Sequence, residues 1–231
     1  MPFLVAIDGP AGAGKSTVAR QVALRLNLTY IDTGAMYRSV ALRALQSQLD
    51  LCDITSLVKL TRATHIHISP LSKEGQQTVT VDGRDETQAI RTPEVSQATS
   101  QISAIPDVRL VVLEQQRRVA EEAPHGVVLE GRDIGTVVFP YAQVKIFLTA
   151  SPEERAKRRF VELQQRGIES DIATVLRDQE ERDKRDSERA VAPLKPALDA
   201  ILLATDGLTI PEVVEHILEH CLSRGFQGEG E

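Results

Sequence analysis

Phe3-Leu4-Val5-Ala6-Ile7-Asp8 followed by Gly9-Pro10-Ala11-Gly12-Ala13-Gly14-Lys15-Ser16-Thr17 is the stretch from which this 231-residue chain is best read. From Gly9 to Ser16 it fits G-x-x-x-x-G-K-[ST] at every defined position. Glycines let the backbone curl so that successive N–H groups face a phosphate chain, Lys15 adds a point charge, and the Ser16 hydroxyl suits Mg²⁺, directly or through water. The apolar run before the loop predicts a strand, and Val18-Ala19 through Val22-Ala23-Leu24 to Leu26 predicts an amphipathic helix after it. The positive end of that helix reinforces the same anion site. A turn serving geometry alone needs one or two glycines, but neither the lysine nor the hydroxyl. A nucleoside triphosphate is the expected ligand of Gly9 to Thr17.

Composition narrows the remaining classes. With 42% hydrophobic and 26% charged residues, the chain is ordinary for a globular protein and long enough to bury a full core. No apolar run approaches a membrane span, and the expected strand begins within a few residues of Met1, leaving no room for a signal peptide. Two cysteines, Cys52 and Cys221, are too few for a disulfide framework. The expectation is a cytoplasmic protein. A net charge of −6 argues against a nucleic-acid polymer as partner, so the second ligand is expected to be small.

Helical and strand patterns alternate as a mostly parallel sheet requires. Leu28 to Asp32 reads as a second strand, Gly34 opens a helix through Met36, Val40, Leu42 and Leu45, and Ile54, Leu57, Val58 and Leu60 mark another. The period then changes to two: His65-Ile66-His67-Ile68 and Thr78-Val79-Thr80-Val81, joined by a turn at Ser72 to Gly75, predict a small antiparallel excursion. Helices start at Thr92-Pro93 and Pro106-Asp107, and Val127 to Leu129 and Val144 to Leu148 are further buried strands. The fold class expected is α/β, a phosphate-loop NTPase-type sheet flanked by helices with a β insertion and a helical lid. The expected division is a core of about 1–62, 98–150 and 191–224, an insertion of about 63–97, a lid of about 151–190, and a frayed tail, 225–231.

The lid expectation rests on charge. Ser151-Pro152-Glu153-Glu154 marks a helix start, Gly167 a stop, and a second helix runs from about Ser170 toward Arg189. Most such runs are solvated faces. Here Arg182, Arg185 and Arg189 recur on one helical face beside Asp186, a row suited to closing over phosphates. His216-Ile217-Leu218-Glu219-His220 matches a zinc-protease pattern but has only a polar tail after it to supply a third ligand, so no metal is expected there. His65 and His67 are expected on the solvent side of their strand.

Two more constellations lie where strands end and helices begin, at the edge where open α/β sheets bind ligands. These are Asp32-Thr33-Gly34-Ala35-Met36-Tyr37-Arg38 and Glu130-Gly131-Arg132-Asp133-Ile134-Gly135-Thr136. A structural Arg132–Asp133 ion pair is one reading. A second phosphate site explains three arginine-bearing elements better.

At GPAGAGKST, DTGAMYR, EGRDIGTVVFP and ERDKRDSERAVAPL, in that order, the chain resembles the bacterial-type cytidylate kinases, from about Val5 to the last helix. The resemblance implies transfer of the γ-phosphoryl group of ATP to CMP or dCMP, with Mg²⁺ and a monomeric enzyme. It implies Arg38, Arg132 and Arg189 on the acceptor phosphate, and Thr33, Arg182 and Asp186 near its sugar and phosphate. It further implies Ser100, Arg109 and Asp133 on the base, Arg158 beside ATP, and Lys15, Arg132, Arg182 and Arg189 in the transfer itself. Thr33 stands where many members have Ser, and Ser16 where some have Gly; both keep or add a hydroxyl. Rival readings are a kinase for another small acceptor such as UMP or shikimate, and a nucleotide-binding regulator without turnover. A regulatory GTPase is disfavoured because N-K-x-D and a D-x-x-G switch are missing.

Overall fold

The computed structural model describes residues 2–227. In chain order, β1 (Phe3–Asp8) leads through the glycine-rich loop to α1 (Lys15–Leu26), then β2 (Thr29–Asp32), α2 (Thr33–Gln46) and α3 (Ile54–Ala63). A small sheet follows, formed by β3 (Ile66–Ile68), β4 (Val79–Val81) and β5 (Arg84–Asp85). Next come α4 (Pro93–Ile102), α5 (Pro106–Glu121), β6 (Gly126–Gly131), a π-helical turn at Ile134–Val138, and β7 (Val144–Thr149). The chain ends through α6 (Pro152–Gln165), α7 (Ile172–Glu188), β8 (Ile201–Ala204) and α8 (Ile210–Ser223).

The main sheet has five strands in the order β2-β6-β1-β7-β8, all parallel, and the small one is antiparallel, β3-β4-β5. The fold class expected from the sequence is the one observed. Central strands buried on both faces explain the apolar runs of β1, β6 and β7, broken in β7 only by the buried Lys145. Chain connections diverge on either side of β1, so its carboxyl end is a topological switch point, where a crevice opens. Register sets Asp8 beside Gly131 and Asp32 beside Glu130, lining up three positions of two expected motifs with the end of β1 at one sheet edge.

Start signals in the sequence map onto caps. Asp32 Oδ1 accepts from the Ala35 N–H at 2.9 Å at the head of α2, Ser151 Oγ from Glu154 at the head of α6, and Thr209 and Glu212 form a capping box on α8. Two features were not legible. β8, reading ILLA, is an edge strand whose uniformly apolar residues cannot be told from a helix segment by period. The tail expected to fray from 225 is instead docked at its start: the Phe226 N–H donates to Cys221 O and its ring meets Phe3 edge-on at 5.1 Å. The remainder of that tail, 228–231, lies outside the described residues.

Apolar packing is divided. One cluster joins β1, β7, α1 and α8 around Ile7, Val22, Ile146 and Ile217; a second joins α2 to α5 and the small sheet around Leu57, Ile90 and Ile102. A third, with Ile31, Leu129 and Phe139, covers the other sheet face. Ile217 is fully buried against the sheet. Ile217→Ala is expected to destabilise the protein by about 2–5 kcal/mol, read as a lower urea midpoint at unchanged slope. A loss under about 1 kcal/mol would mean that α8 is not packed as described.

Candidate active site

The phosphate loop is held open by two close approaches. A Cβ at Gly9, where φ is 147°, would stand 2.0 Å from Leu148 O. One at Gly12, where φ is 78°, would stand 2.8 Å from Gln179 Nε2 and 2.9 Å from Arg155 O. No side chain fits at either place, and the backbone N–H groups stay free to face an anion. Lys15 is buried and its Nζ donates to Pro10 O at 2.7 Å. Burial, helped by the Arg132 and Arg182 charges, draws its ammonium down to about 7.

At the strand ends beside the loop stand three carboxylates. Asp8, pushed up to about 6 by burial, accepts from the Ile134 and Gly135 N–H groups, each at 2.8 Å. Glu130 accepts from Tyr30 Oη and from the Ser16 hydroxyl, and its pKa is raised by burial and then by Asp32. Burial pushes Asp32 upward, but Arg38, at 2.6 Å, and the Ala35 N–H more than offset it and hold the carboxyl below its usual value. The Thr33 hydroxyl donates to Glu130 O at 2.5 Å.

Opposite the loop, Arg132 Nε donates to Asp186 Oδ2 at 3.0 Å and its Nη1 to Gly9 O at 3.0 Å. The Arg132–Asp133 pair considered from sequence does not form. Asp133 instead pairs with Arg109, and its other oxygen lies 3.6 Å from Arg189 Nη2. Arg109 also donates to Ser103 O and lies 5.5 Å from the centre of the Tyr37 ring. Among the described residues, Ser100 Oγ, Arg38 Nε, Arg182 Nε and Arg189 Nη2 are buried without a hydrogen-bond partner. Such atoms are open to water or a polar ligand. Burial, and then the Arg132 charge, draw Arg182 down to about 10, with Asp186 opposing the shift.

The helical hairpin α6–α7 leans on the loop. Arg155, which the sequence reading missed, donates to Ala150 O at 3.1 Å, Ala11 O at 3.0 Å and Asp183 Oδ2 at 2.5 Å. Gln179, also missed, completes the contact at Gly12. The arginine face expected on α7 needs one correction. Arg182 and Asp186 turn inward, but Arg185 is exposed and donates only to Glu181 O of its own helix, because the inward positions are taken by Gln179, Arg182, Asp183 and Asp186. Arg189 is the C-cap of α7, already extended, and reaches Asp133 from there. Arg158 donates to Thr205 at 2.9 and 3.1 Å and ion-pairs with Glu154, with Nη1 3.9 Å from where a Gly14 Cβ would be. The structure therefore gathers Lys15, Arg132, Arg182, Asp186, Arg189, Arg109 and Asp133 into one linked network, with Arg38 and Thr33 at its β2 side. Asp8 and Tyr30 carried one signal in the sequence, a polar group in a mostly apolar strand, whereas Arg155 sits in a charged run and carried none.

Ser16 Oγ against the Glu130 carboxylate offers hard oxygens of the kind Mg²⁺ prefers. Among the described residues no group of three or more His, Cys, Asp or Glu could hold a metal unaided, so an ion here would come with ligand oxygens. No described helix is long and apolar enough to cross a membrane. His65 and His67 are exposed.

Residues 5–223 match the family model described as cytidylate kinase. A relative from Desulforamulus reducens named cytidylate kinase is 53% identical over 214 residues, spanning 93% of this chain and 94% of its own. Another of that name, from Pseudomonas aeruginosa, is 47% identical over 225 residues, spanning 96% of each. A solved structure of an uncharacterised protein from Eubacterium ventriosum aligns over 96% of this chain and 99% of its own at a TM-score of 0.50 and 14% identity, a likeness of fold alone.

Proposed function

The chain belongs to the cytidylate kinase family, and from that premise we propose that it moves the γ-phosphoryl group of ATP onto CMP or dCMP, leaving ADP and CDP or dCDP. The observation that carries the site reading is the network in which Arg132 joins the phosphate loop at Gly9 to Asp186, and Asp186 and Asp133 join Arg189 and Arg109 to it.

Little covalent work falls to the protein. The nucleophile is an oxygen of the acceptor's own phosphate, already largely ionised at neutral pH, so no general base is needed. What the chain does is bring two polyanions together in line and balance their charge. Gly9, Pro10, Ala11, Gly12, Ala13, Gly14, Lys15, Ser16 and Thr17 cradle the donor phosphates, with Arg158 at the loop's far side. Arg38, Arg132 and Arg189 hold the acceptor phosphate, with Thr33, Arg182 and Asp186 near sugar and phosphate. Ser16 and Glu130 would hold Mg²⁺, whose charge offsets that of the bridging phosphates. Residues of about 151–190 act as a lid, the about 63–97 insertion lies on the acceptor side, and closure through Arg155 and Gln179 keeps water from the transferring group.

Base choice follows from donor and acceptor matching. Cytosine presents an N4 amino donor and an N3 acceptor, suited to Ser100, Asp133 and Arg109. Uracil reverses both and would set a buried carboxylate against a carbonyl, a costly mismatch. A monomer acting on free nucleotides needs no further partner.

An ADP-release assay with ATP–Mg²⁺ against CMP, dCMP, UMP, AMP, GMP and shikimate tests the reading. Turnover is expected on CMP and dCMP; turnover on AMP or shikimate with none on CMP overturns it, and ATP binding without acceptor-dependent turnover would make the chain a regulator. Lys15→Ala and Arg189→Ala are each expected to lower kcat by about 10³-fold, and near-normal turnover in either removes that residue from the transfer.

Lys15 also predicts a proton balance. Its ammonium sits at about 7 in the free protein, and bound phosphates would raise it by replacing repulsion from Arg132 and Arg182 with attraction. At pH 8 donor binding is therefore expected to take up about one proton, and affinity to fall as pH rises further. Calorimetry of ATP–Mg²⁺ binding in two buffers of different ionisation enthalpy measures this. Uptake that persists unchanged in Lys15→Met would assign the proton elsewhere.

A further inference from the structure

The phosphate loop and the Arg132–Asp133 turn are tied together at a point that the transfer reaction itself does not use. We infer that Asp8 is a positioning residue for the acceptor: its carboxylate holds the turn after β6 by two backbone N–H groups and so sets where Arg132 and Asp133 stand. Asp8 closes β1, directly ahead of Gly9, and lies in register with Gly131. Its Oδ1 accepts from Ile134 and its Oδ2 from Gly135, both at 2.8 Å, while Arg132 Nη1 reaches back to Gly9 O at 3.0 Å. Two consecutive residues of the donor side thus hold the acceptor turn, Gly9 at Arg132 and Asp8 at Ile134 and Gly135.

Only a carboxylate serves this place. Both of its oxygens face N–H donors, so an asparagine would turn one N–H against another, and protonation would do the same at one oxygen. The turn packs closely here, a Cβ at Gly135 standing 3.2 Å from the Lys145 stem and 3.5 Å from Asp8 Oδ2. The charged groups facing Asp8 are Asp133 on the turn and Lys15 at the head of α1, with Lys145 of β7 behind Gly135. Asp133 opposes its ionisation, yet the two N–H groups hold the charge in place. A buried carboxylate kept beside a second one is a burden that a purely apolar strand end would avoid.

This inference rests on the acceptor roles proposed for Arg132 and Asp133, and Asp8→Asn in the full chain tests it. The KM for CMP is expected to rise by about 10- to 100-fold, the scale of one buried donor left unmet, while the Kd for ATP–Mg²⁺ stays within about threefold. Unchanged KM for CMP, or equal loss of both ligands, overturns the positioning role. A wild type that binds ATP–Mg²⁺ without turning over CMP overturns the functional reading, and the acceptor role of Asp8 with it. Should Asp8→Asn fail to fold, NMR of the ligand-free wild type decides. The Ile134 and Gly135 amides and the Arg132 Nε–H should titrate together with a midpoint of about 6, where burial places Asp8. Amides that titrate while Arg132 Nε–H stays still would show that Asp8 holds the turn without placing Arg132, and the inference fails.

Discussion

Crowding of three cations, buried Lys15 and half-buried Arg132 and Arg182, against only partly compensating carboxylates is the constraint to which the site answers. Burial first, and then the charges of Arg132 and Arg182, draw down the pKa of Lys15, and burial and Arg132 draw down that of Arg182. Local carboxylates supply partial relief: Asp186 on Arg132, and Glu130 and Asp8 on Lys15. None of these neutralises the group outright, and Arg182 Nε keeps no hydrogen-bond partner among the described residues. A protein carrying such a site is preorganised for a polyanion, whose arrival removes repulsion as well as adding attraction. That difference between empty and filled states is what a phosphoryl-transfer site needs.

The same constraint explains where the hairpin leans. α7 brings Arg182 and Asp186 to the loop together, so each approach of positive charge is accompanied by a negative one. Gln179 and Asp183, one turn earlier, take neutral or paired contacts with Gly12 and Arg155. An arginine at position 185 turned inward would add a fourth cation without a partner; the helix leaves it in solvent instead.

How much of this could be read from sequence follows from range. The phosphate loop, the strand–helix alternation and the helix starts are local patterns, and GPAGAGKST, Asp32, Ser151 and Pro152 state them within a few residues. The choice of partner for a buried ion is not local. Arg132 and Asp133 are adjacent in sequence, but one points to Asp186 and the other to Arg109 and Arg189, and only the sheet register and the placing of α5 and α7 decide that. Arg155 was hidden because its three partners come from the stretch between β7 and α6, the phosphate loop and α7. β8 was hidden because an edge strand is made by its neighbour β7, not by its own four residues.

Division of the apolar packing gives these polar contacts their purpose. The donor loop springs from the cluster under β1, β7, α1 and α8, whereas Arg38, Ser100 and Arg109 ride on α2, α4 and α5, which pack into a cluster of their own with the small sheet. Apolar contacts are non-directional and tolerate small slips between such blocks. In-line transfer does not, since a misplacement of about 1 Å can cost about 10²-fold. Directional bonds at the sheet edge must therefore hold the two blocks in register: Arg109 of the second block pairs with Asp133 on the turn after β6, and that turn is tied to the end of β1 by Asp8 and by Arg132 on Gly9. They cluster at the switch point because that is where both blocks present backbone ends rather than side-chain faces, and where a ligand spanning the blocks has to lie.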